Sequence, residues 1–188
     1  MAGDAQATQR RLLEAAAQEF AARGIAGARV DRIAEAARSN KAQIYHYFGS
    51  KDQLFDAVFN SLVADTLREV PIDVTDLPEY AGRLFDGYEK HPQIPRLATW
   101  YRLERAGAQA PLEAIVKSNR DKVNTITQAQ QAGLLPSHFA AADLLALVLA
   151  LASMWTSTTP EFTELIPGHT VAGRRRVITD AVAAVLAR

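Results

Sequence analysis

Ile44-Tyr45-His46-Tyr47-Phe48-Gly49-Ser50-Lys51-Asp52-Gln53-Leu54-Phe55 holds the end of one helix, a turn and the start of another. Ile44 and Tyr47 sit one turn apart, so one side of a short helix over about Lys41 to Tyr47 faces inward. Phe48-Gly49 breaks the pattern. Ser50 followed by Gln53 is a capping box, and it opens the apolar series Leu54, Phe55, Val58, Phe59, Leu62 of the next helix. Upstream, Asn40 is a good N-cap for the short helix, preceded by the turn Ala37-Arg38-Ser39. Before that turn, Val30, Ile33, Ala34 and Ala37 predict a second short helix over about Val30 to Ala37. A longer first helix is expected from about Thr8 to Arg23, with Leu12, Ala16 and Phe20 on one face, Leu13 and Ala17 widening it, and Gly24 as its C-terminal stop.

Two short helices joined by a tight turn and packed on a longer one describe a helix-turn-helix, whose second helix fits a major groove. The inside must be small and apolar, which Ile33, Ala34, Ala37, Ile44 and Tyr47 supply. The outside must be polar, and Lys41, Gln43, Tyr45 and His46 supply that. Gln43 matches an adenine edge, Lys41 a guanine, and the Ala42 methyl can touch a thymine methyl. Ser50 and Lys51 put a helix N-terminus beside a cation, a combination suited to phosphate. Between Arg29 and Lys51 there are five cations (Arg29, Arg32, Arg38, Lys41, Lys51) against Asp31 and Glu35, although the whole chain balances 21 basic with 21 acidic residues.

Downstream, Pro71, Asp73, Asp76 and Pro78 mark a break. Helical periodicity then covers about Leu77 to Lys90, Ile94 to Ala106, Pro111 to Ala132, Ala140 to Thr156 and Gly173 to Arg188. Leu112, Ile115, Val116, Val123 and Ile126 are expected on the inner face of the long third segment, with Gly133 closing it. The fold class is therefore all-α: an N-terminal three-helix helix-turn-helix domain over residues 1–50 and a larger C-terminal helical domain over 51–188.

Of 188 residues, 48% are hydrophobic and none is cysteine, which excludes wholesale disorder, a disulfide framework and thiolate metal sites. The N-terminus lacks a signal-peptide pattern, and the run Phe139 to Trp155 carries Asp143 and is short for a bilayer; the expectation is a cytoplasmic protein with no membrane partner. His91, His138 and His169 have no carboxylate or second histidine at ligand spacing, and no phosphate-cradling glycine loop or nucleophile elbow is visible. No metal, no cofactor and no enzymatic activity are expected.

Gly24-Ile25, Val30-Asp31-Arg32-Ile33-Ala34-Glu35-Ala36-Ala37 and the string from Ile44 to Phe55 closely resemble the N-terminal domain of the TetR family of bacterial repressors, over about Thr8 to Leu62. The resemblance implies an all-helical homodimer that binds palindromic double-stranded DNA and carries a small-molecule-binding body. It implies phosphate contacts from Tyr45 and Lys51, and base-edge positions for Lys41, Ala42, Gln43 and His46. Two departures stand out. The usual turn Ala-Gly-Val-Ser is Ala37-Arg38-Ser39-Asn40, where the lost glycine raises the cost of any left-handed residue and Ser39 or Asn40 can absorb some of it. The usual Thr or Ser cap of the second helix is Arg29, which adds a cation beside the DNA.

Family likeness also implies a mostly apolar effector pocket in the body. Phe59, Tyr88, Trp100, Tyr101, Asn119 and Val123 are candidate lining residues, against the plainer reading that each aromatic is simply core. Glu104 and Arg105 read as surface charges or a salt bridge. The all-round apolar segment 140–156 (Leu144, Leu145, Leu147, Val148, Leu149, Leu151, Met154, Trp155) and the segment 173–188 are expected to pair with their symmetry mates. A two-fold dimer would space its reading helices by about 34–36 Å, one turn of DNA. The leading expectation is thus a repressor released from its operator by a small apolar effector. The alternatives are a DNA-binding regulator without effector, governed by a partner or by abundance, and, remotely, an enzyme with an appended DNA-binding head.

Overall fold

The computed structural model describes residues 2–105 and 111–187. All regular structure among them is helical: α1 (Ala2–Gly27), α2 (Val30–Ala36), α3 (Lys41–Phe48), α4 (Lys51–Glu69), α5 (Leu77–Lys90), α6 (Gln93–Arg105), α7 (Glu113–Gln131), α8 (Ala141–Ser153), a 3-10 turn (Met154–Ser157), α9 (Pro160–Thr163) and α10 (Val171–Leu186). No helix among these residues is long and apolar enough to cross a membrane. The chain forms two compact units, residues 1–65 with 92–115, and residues 66–91 with 116–188. Compaction therefore follows a different line from the linear division expected at residue 50, because α6 packs on α1.

In the first unit, Leu12, Ala16 and Phe20 of α1 meet Ile33 and Ala34 of α2, Ile44 and Phe48 of α3, Leu54, Phe55 and Val58 of α4, and Leu97 of α6. Phe20 and Phe55 meet edge to face, with ring centroids 5.3 Å apart, a geometry favoured by the ring quadrupoles. The apolar periodicity placed these residues inward except Phe48, which was read into the turn, and Leu97.

In the second unit, Tyr80, Ala81 and Phe85 of α5, Ile126 and Ala129 of α7, Leu144, Leu145, Val148 and Ala152 of α8, and Ile178 and Val182 of α10 form one core. A charged clasp ties α10 to α5: Arg175 donates from Nη2 to Glu79 at 2.7 Å and from Nε to Asp86 at 2.9 Å. Both partners hold the guanidinium protonated, which raises its pKa.

Several boundaries differ from expectation. The first helix starts at Ala2 rather than Thr8. The last starts at Val171 rather than Gly173, because Thr170 caps it, accepting from Gly173 N at 3.0 Å. The segment expected to run to Thr156 ends as α-helix at Ser153 and tightens into the 3-10 turn, and α9 was not anticipated. The α7 segment begins at Glu113, not Pro111. Val116, expected inward, is exposed, and burial on α7 falls on Ser118, Ile126 and Ala129. Ala106 and Arg188, expected helical, lie outside the described residues.

Candidate nucleic-acid interface

The helix-turn-helix is α2, the turn Ala37–Asn40, and α3. Asn40 is extended (φ −127, ψ 160) and its side chain accepts from Gln43 N at 2.9 Å, the N-cap expected of it. The left-handed residue of the turn is Arg38, with φ 51, and not Ser39 or Asn40. It occupies the place of the missing glycine. The backbone geometry is kept and the side chain bears the cost: Ser39 N donates to Ala34 O at 2.9 Å, closing α2 with a wide turn that requires the left-handed residue inside it. Arg29 is the N-cap of α2 without a side-chain cap bond. Glu19 of α1 substitutes, its Oε1 accepting from Arg29 N at 3.1 Å and from Arg32 Nη1 at 3.2 Å.

Burial on α3 divides the helix as its periodicity requires. Ile44 and Phe48 are buried and Tyr47 is half-buried, whereas Lys41, Ala42, Tyr45 and His46 are exposed and Gln43 is half-buried. Arg29 at the start of α2 is exposed as well. Two of the polar side chains are engaged locally. Lys41 Nζ lies 3.1 Å from Asp31 Oδ1, and Gln43 Oε1 accepts the hydroxyl of Ser39. Ser50 caps α4, its hydroxyl accepting from Gln53 N at 3.1 Å. Gly49 before it has φ 79, a left-handed conformation that strains any residue with a β-carbon, and the Gln53 side chain would have to move to admit one.

Lys51 has a second task that its spacing did not disclose. Its Nζ donates to Ala26 O at 3.0 Å and to Ala28 O at 3.2 Å, binding the α1–α2 junction to the start of α4 and leaving one proton for an outside acceptor. The same junction is held by α6. Gly24 breaks α1 with φ 74, exposing the next amides, and Glu104 takes both: Oε1 accepts from Ile25 N at 3.1 Å and Oε2 from Ala26 N at 2.7 Å. A β-carbon at Gly24 would run into Glu104 and the Trp100 ring, and Trp100 Nε1 donates to Ala21 O at 3.2 Å. Arg105 is a buried salt bridge, not a surface charge. It donates to the Asp52 carboxylate at 3.0 Å and to Asp56, and its guanidinium carbon lies 4.8 Å from the Phe55 ring centre.

The candidate effector residues are divided between the units. Phe59, Trp100 and Tyr101 belong to the first, where Phe55, Phe59 and Tyr101 pack ring on ring at 5.2 to 6.4 Å. Tyr88, Asn119 and Val123 belong to the second. Tyr88 and Val123 pack against its core, and burial raises the Tyr88 pKa. Asn119 is exposed, and Ser118 is the inward polar residue, accepting from Lys122 Nζ at 2.7 Å. Burial holds the Lys122 pKa below the usual lysine value. Two buried donors of α5, Tyr80 Oη and Arg83 Nε, have no partner among the described residues and were not among the sequence-derived candidates. A polar residue within an apolar helix stripe is their only sequence signal.

Residues 12–58 match the bacterial regulatory proteins, tetR family, and residues 76–184 match the tetracyclin repressor-like C-terminal domain. The chain is 39% identical over 173 residues to the HTH-type transcriptional repressor SCO4008 of Streptomyces coelicolor, covering 92% of this chain and 90% of that one. Among solved structures, a transcriptional regulator SCO4942 from Streptomyces coelicolor superposes with a TM-score of 0.84 at 38% identity, over 96% of this chain and 99% of that one. AibR, solved in complex with isovaleryl coenzyme A and operator DNA, shares the fold with a TM-score of 0.68 at 20% identity, over 95% of this chain and 97% of that one.

Proposed function

Since the chain belongs to the TetR family of bacterial regulatory proteins, we propose that it is a transcriptional repressor whose α3 reads the major groove of a palindromic operator. Its relatives are regulators, and the alternative of an enzyme with an appended head falls with that. The observation that carries the reading is the division of α3, with Lys41, Ala42, Tyr45 and His46 exposed while Ile44 and Phe48 are buried against α1 and α2. Lys41, Ala42, Gln43 and His46 take base edges; Tyr45, Ser50, Lys51 and Arg29 take phosphates.

A dimer through α8 and α10 is supported by apolar surface left open there: Met154 and Val177 are exposed, and Leu147, Leu149 and Leu151 are half-buried. The second part of the proposal is release by a small molecule bound in the body, with Tyr88 and Val123 among its contacts. AibR, whose complex holds both isovaleryl coenzyme A and operator DNA, offers a precedent of the same fold. A ligand acts this way only by binding the released conformation more tightly.

The test is a gel-shift titration with duplexes from the neighbourhood of the protein's own gene, at about 0.1 M salt. Binding of one duplex well below micromolar, with random DNA far weaker, is expected. Micromolar or weaker binding to all of them overturns the proposal.

A further inference from the structure

Tyr80 is fully buried on α5, and among the described residues its hydroxyl has no hydrogen-bond partner; neither has the buried Nε of Arg83, one turn along the same helix. The two groups feel each other's charge, and Tyr88, two turns on from Tyr80, lies within electrostatic reach as well. Folded proteins rarely leave one such donor unmade, still less two on one helix a turn apart. The Asp73 carboxylate feels the charge of Arg83 without hydrogen-bonding its Nε, and its Oδ1 accepts from Thr75 N at 3.0 Å and from Thr75 Oγ1 at 2.6 Å.

The donor chemistry is selective. A guanidinium only donates, and burial keeps the Tyr80 phenol protonated, so it stands ready to donate. A group complementary to both must accept from two directions and bear negative charge, as a carboxylate does with its two oxygens. A primary amide offers one oxygen and brings donors that clash with the site. An ammonium offers none. Tyr80 belongs to a core that also holds Leu77, Leu84 and Ile126, so the remainder of the molecule is taken to be hydrocarbon or aromatic.

We propose that Tyr80 and Arg83, with Tyr88 beside them, anchor the carboxylate head of a small apolar acid, which is the effector. The inference rests on the effector-release reading for its consequence, but its site stands on the two unpartnered donors.

Decanoate and 4-phenylbutyrate serve as probes, each compared with its primary amide and with the amine of matching chain. Binding is followed by thermal melting and tryptophan fluorescence on the full chain. At least one carboxylate should bind, and its amide and amine should need about tenfold higher concentration or more. Arg83→Met should weaken the carboxylate about tenfold or more and Tyr80→Phe several-fold. Both variants should melt, without probe, no lower than the parent protein, since each removes an unmade donor. Amines binding as well as carboxylates, no probe binding, or carboxylate affinity unchanged in Arg83→Met overturns the anchor. A gel shift with the same probes separates the two readings. A carboxylate that binds through Arg83 yet leaves the operator complex intact upholds the anchor and overturns release. Operator binding by a protein that takes up no carboxylate overturns the anchor alone.

Discussion

Glu104 and Lys51 grip the same residue from opposite sides: Glu104 Oε2 accepts the N–H of Ala26 at 2.7 Å, and Lys51 Nζ donates to its carbonyl at 3.0 Å. Ala26 lies in the short junction between the Gly24 break in α1 and the start of α2. The position of α2 on α1 is therefore set from outside the helix-turn-helix, by the last turn of α6 and the first of α4. Removing the carboxylate leaves the amides of Ile25 and Ala26 without their acceptor. Glu104→Ala should cost about 1–3 kcal/mol in urea unfolding. Glu104→Gln, which keeps one acceptor oxygen, should recover about half. Faster hydrogen exchange confined to Ile25 and Ala26 would locate the loss; unchanged stability in Glu104→Ala would refute the role.

Lys51 carries two duties, and they can be separated. Lys51→Ala removes the charge and both carbonyl contacts, so DNA binding weakens alike on all sequences, the salt slope falls by about one, and stability drops by about 1 kcal/mol. Lys51→Gln keeps donors for the Ala26 and Ala28 carbonyls but not the charge. It should reproduce the DNA effect and most of the salt-slope change while melting near the parent temperature. A Gln variant with the parent's salt slope would remove Lys51 from the phosphate contacts.

Arg38 holds φ 51, a conformation that costs a non-glycine residue roughly 1–2 kcal/mol. Glycine relieves the strain but loses more entropy on folding, by about 0.5–1 kcal/mol. Arg38→Gly should then raise stability by up to about 1 kcal/mol. Arg38→Val, β-branched and worse in this region, should lower it by about 1 kcal/mol or more. A chemical-denaturation series on the two variants and the parent decides the matter, and a destabilised glycine variant would be the contrary result.

Gln43 reaches DNA only after giving up a neighbour, because its Oε1 accepts from the Ser39 hydroxyl. Gln43→Ala should cost roughly 1–3 kcal/mol on the operator and nothing on random duplex, if the amide makes a two-point contact with adenine. Ser39→Ala frees the amide and should tighten operator binding slightly. Equal losses for Gln43→Ala on both duplexes would mean that it reads no base.

The helix-turn-helix was legible because its signals are local. Asn40 as N-cap, Ser50 as cap of α4 and the inward set Ile33, Ala34, Ile44 all follow from neighbours within one or two turns. The contacts that brace it were not legible, since Glu104 and Ala26 are 78 positions apart and nothing in either residue names the other. For the same reason Arg105 read as a surface charge or a salt bridge with no partner named, until α6 set it against Asp52 and Asp56. A left-handed turn residue was legible, but it falls on Arg38 rather than on Ser39 or Asn40. A residue-by-residue reading favours Ser or Asn there, whereas the wide turn closing α2 dictates which position must bend. On α7 the periodicity placed Val116 on the inner face with Ile126, yet Val116 is exposed. Cover is not uniform along that helix, and hydrophobic spacing carries no information about where a neighbour ends.

Tyr80 gives a pH signature. Burial, with a smaller contribution from Tyr88, pushes its pKa up to about 12 from the ordinary 10.0. The raised value means that the folded chain holds the proton where the unfolded chain releases it, so between these pH values the native state binds more protons. Stability contributed by the neutral phenol is complete below pH 10 and falls as pH climbs toward 12, by about 2–3 kcal/mol over the interval if the group titrates alone. Tyr80→Phe removes this dependence. It also removes an unmade buried hydroxyl, so the variant should match or exceed the parent's stability at pH 7, and the gap should widen in its favour by pH 11. Urea midpoints at pH 7, 9, 10 and 11 for the two proteins measure both effects. Parallel curves across that range would show that the hydroxyl is hydrated in solution, and would remove the premise of the carboxylate anchor with it.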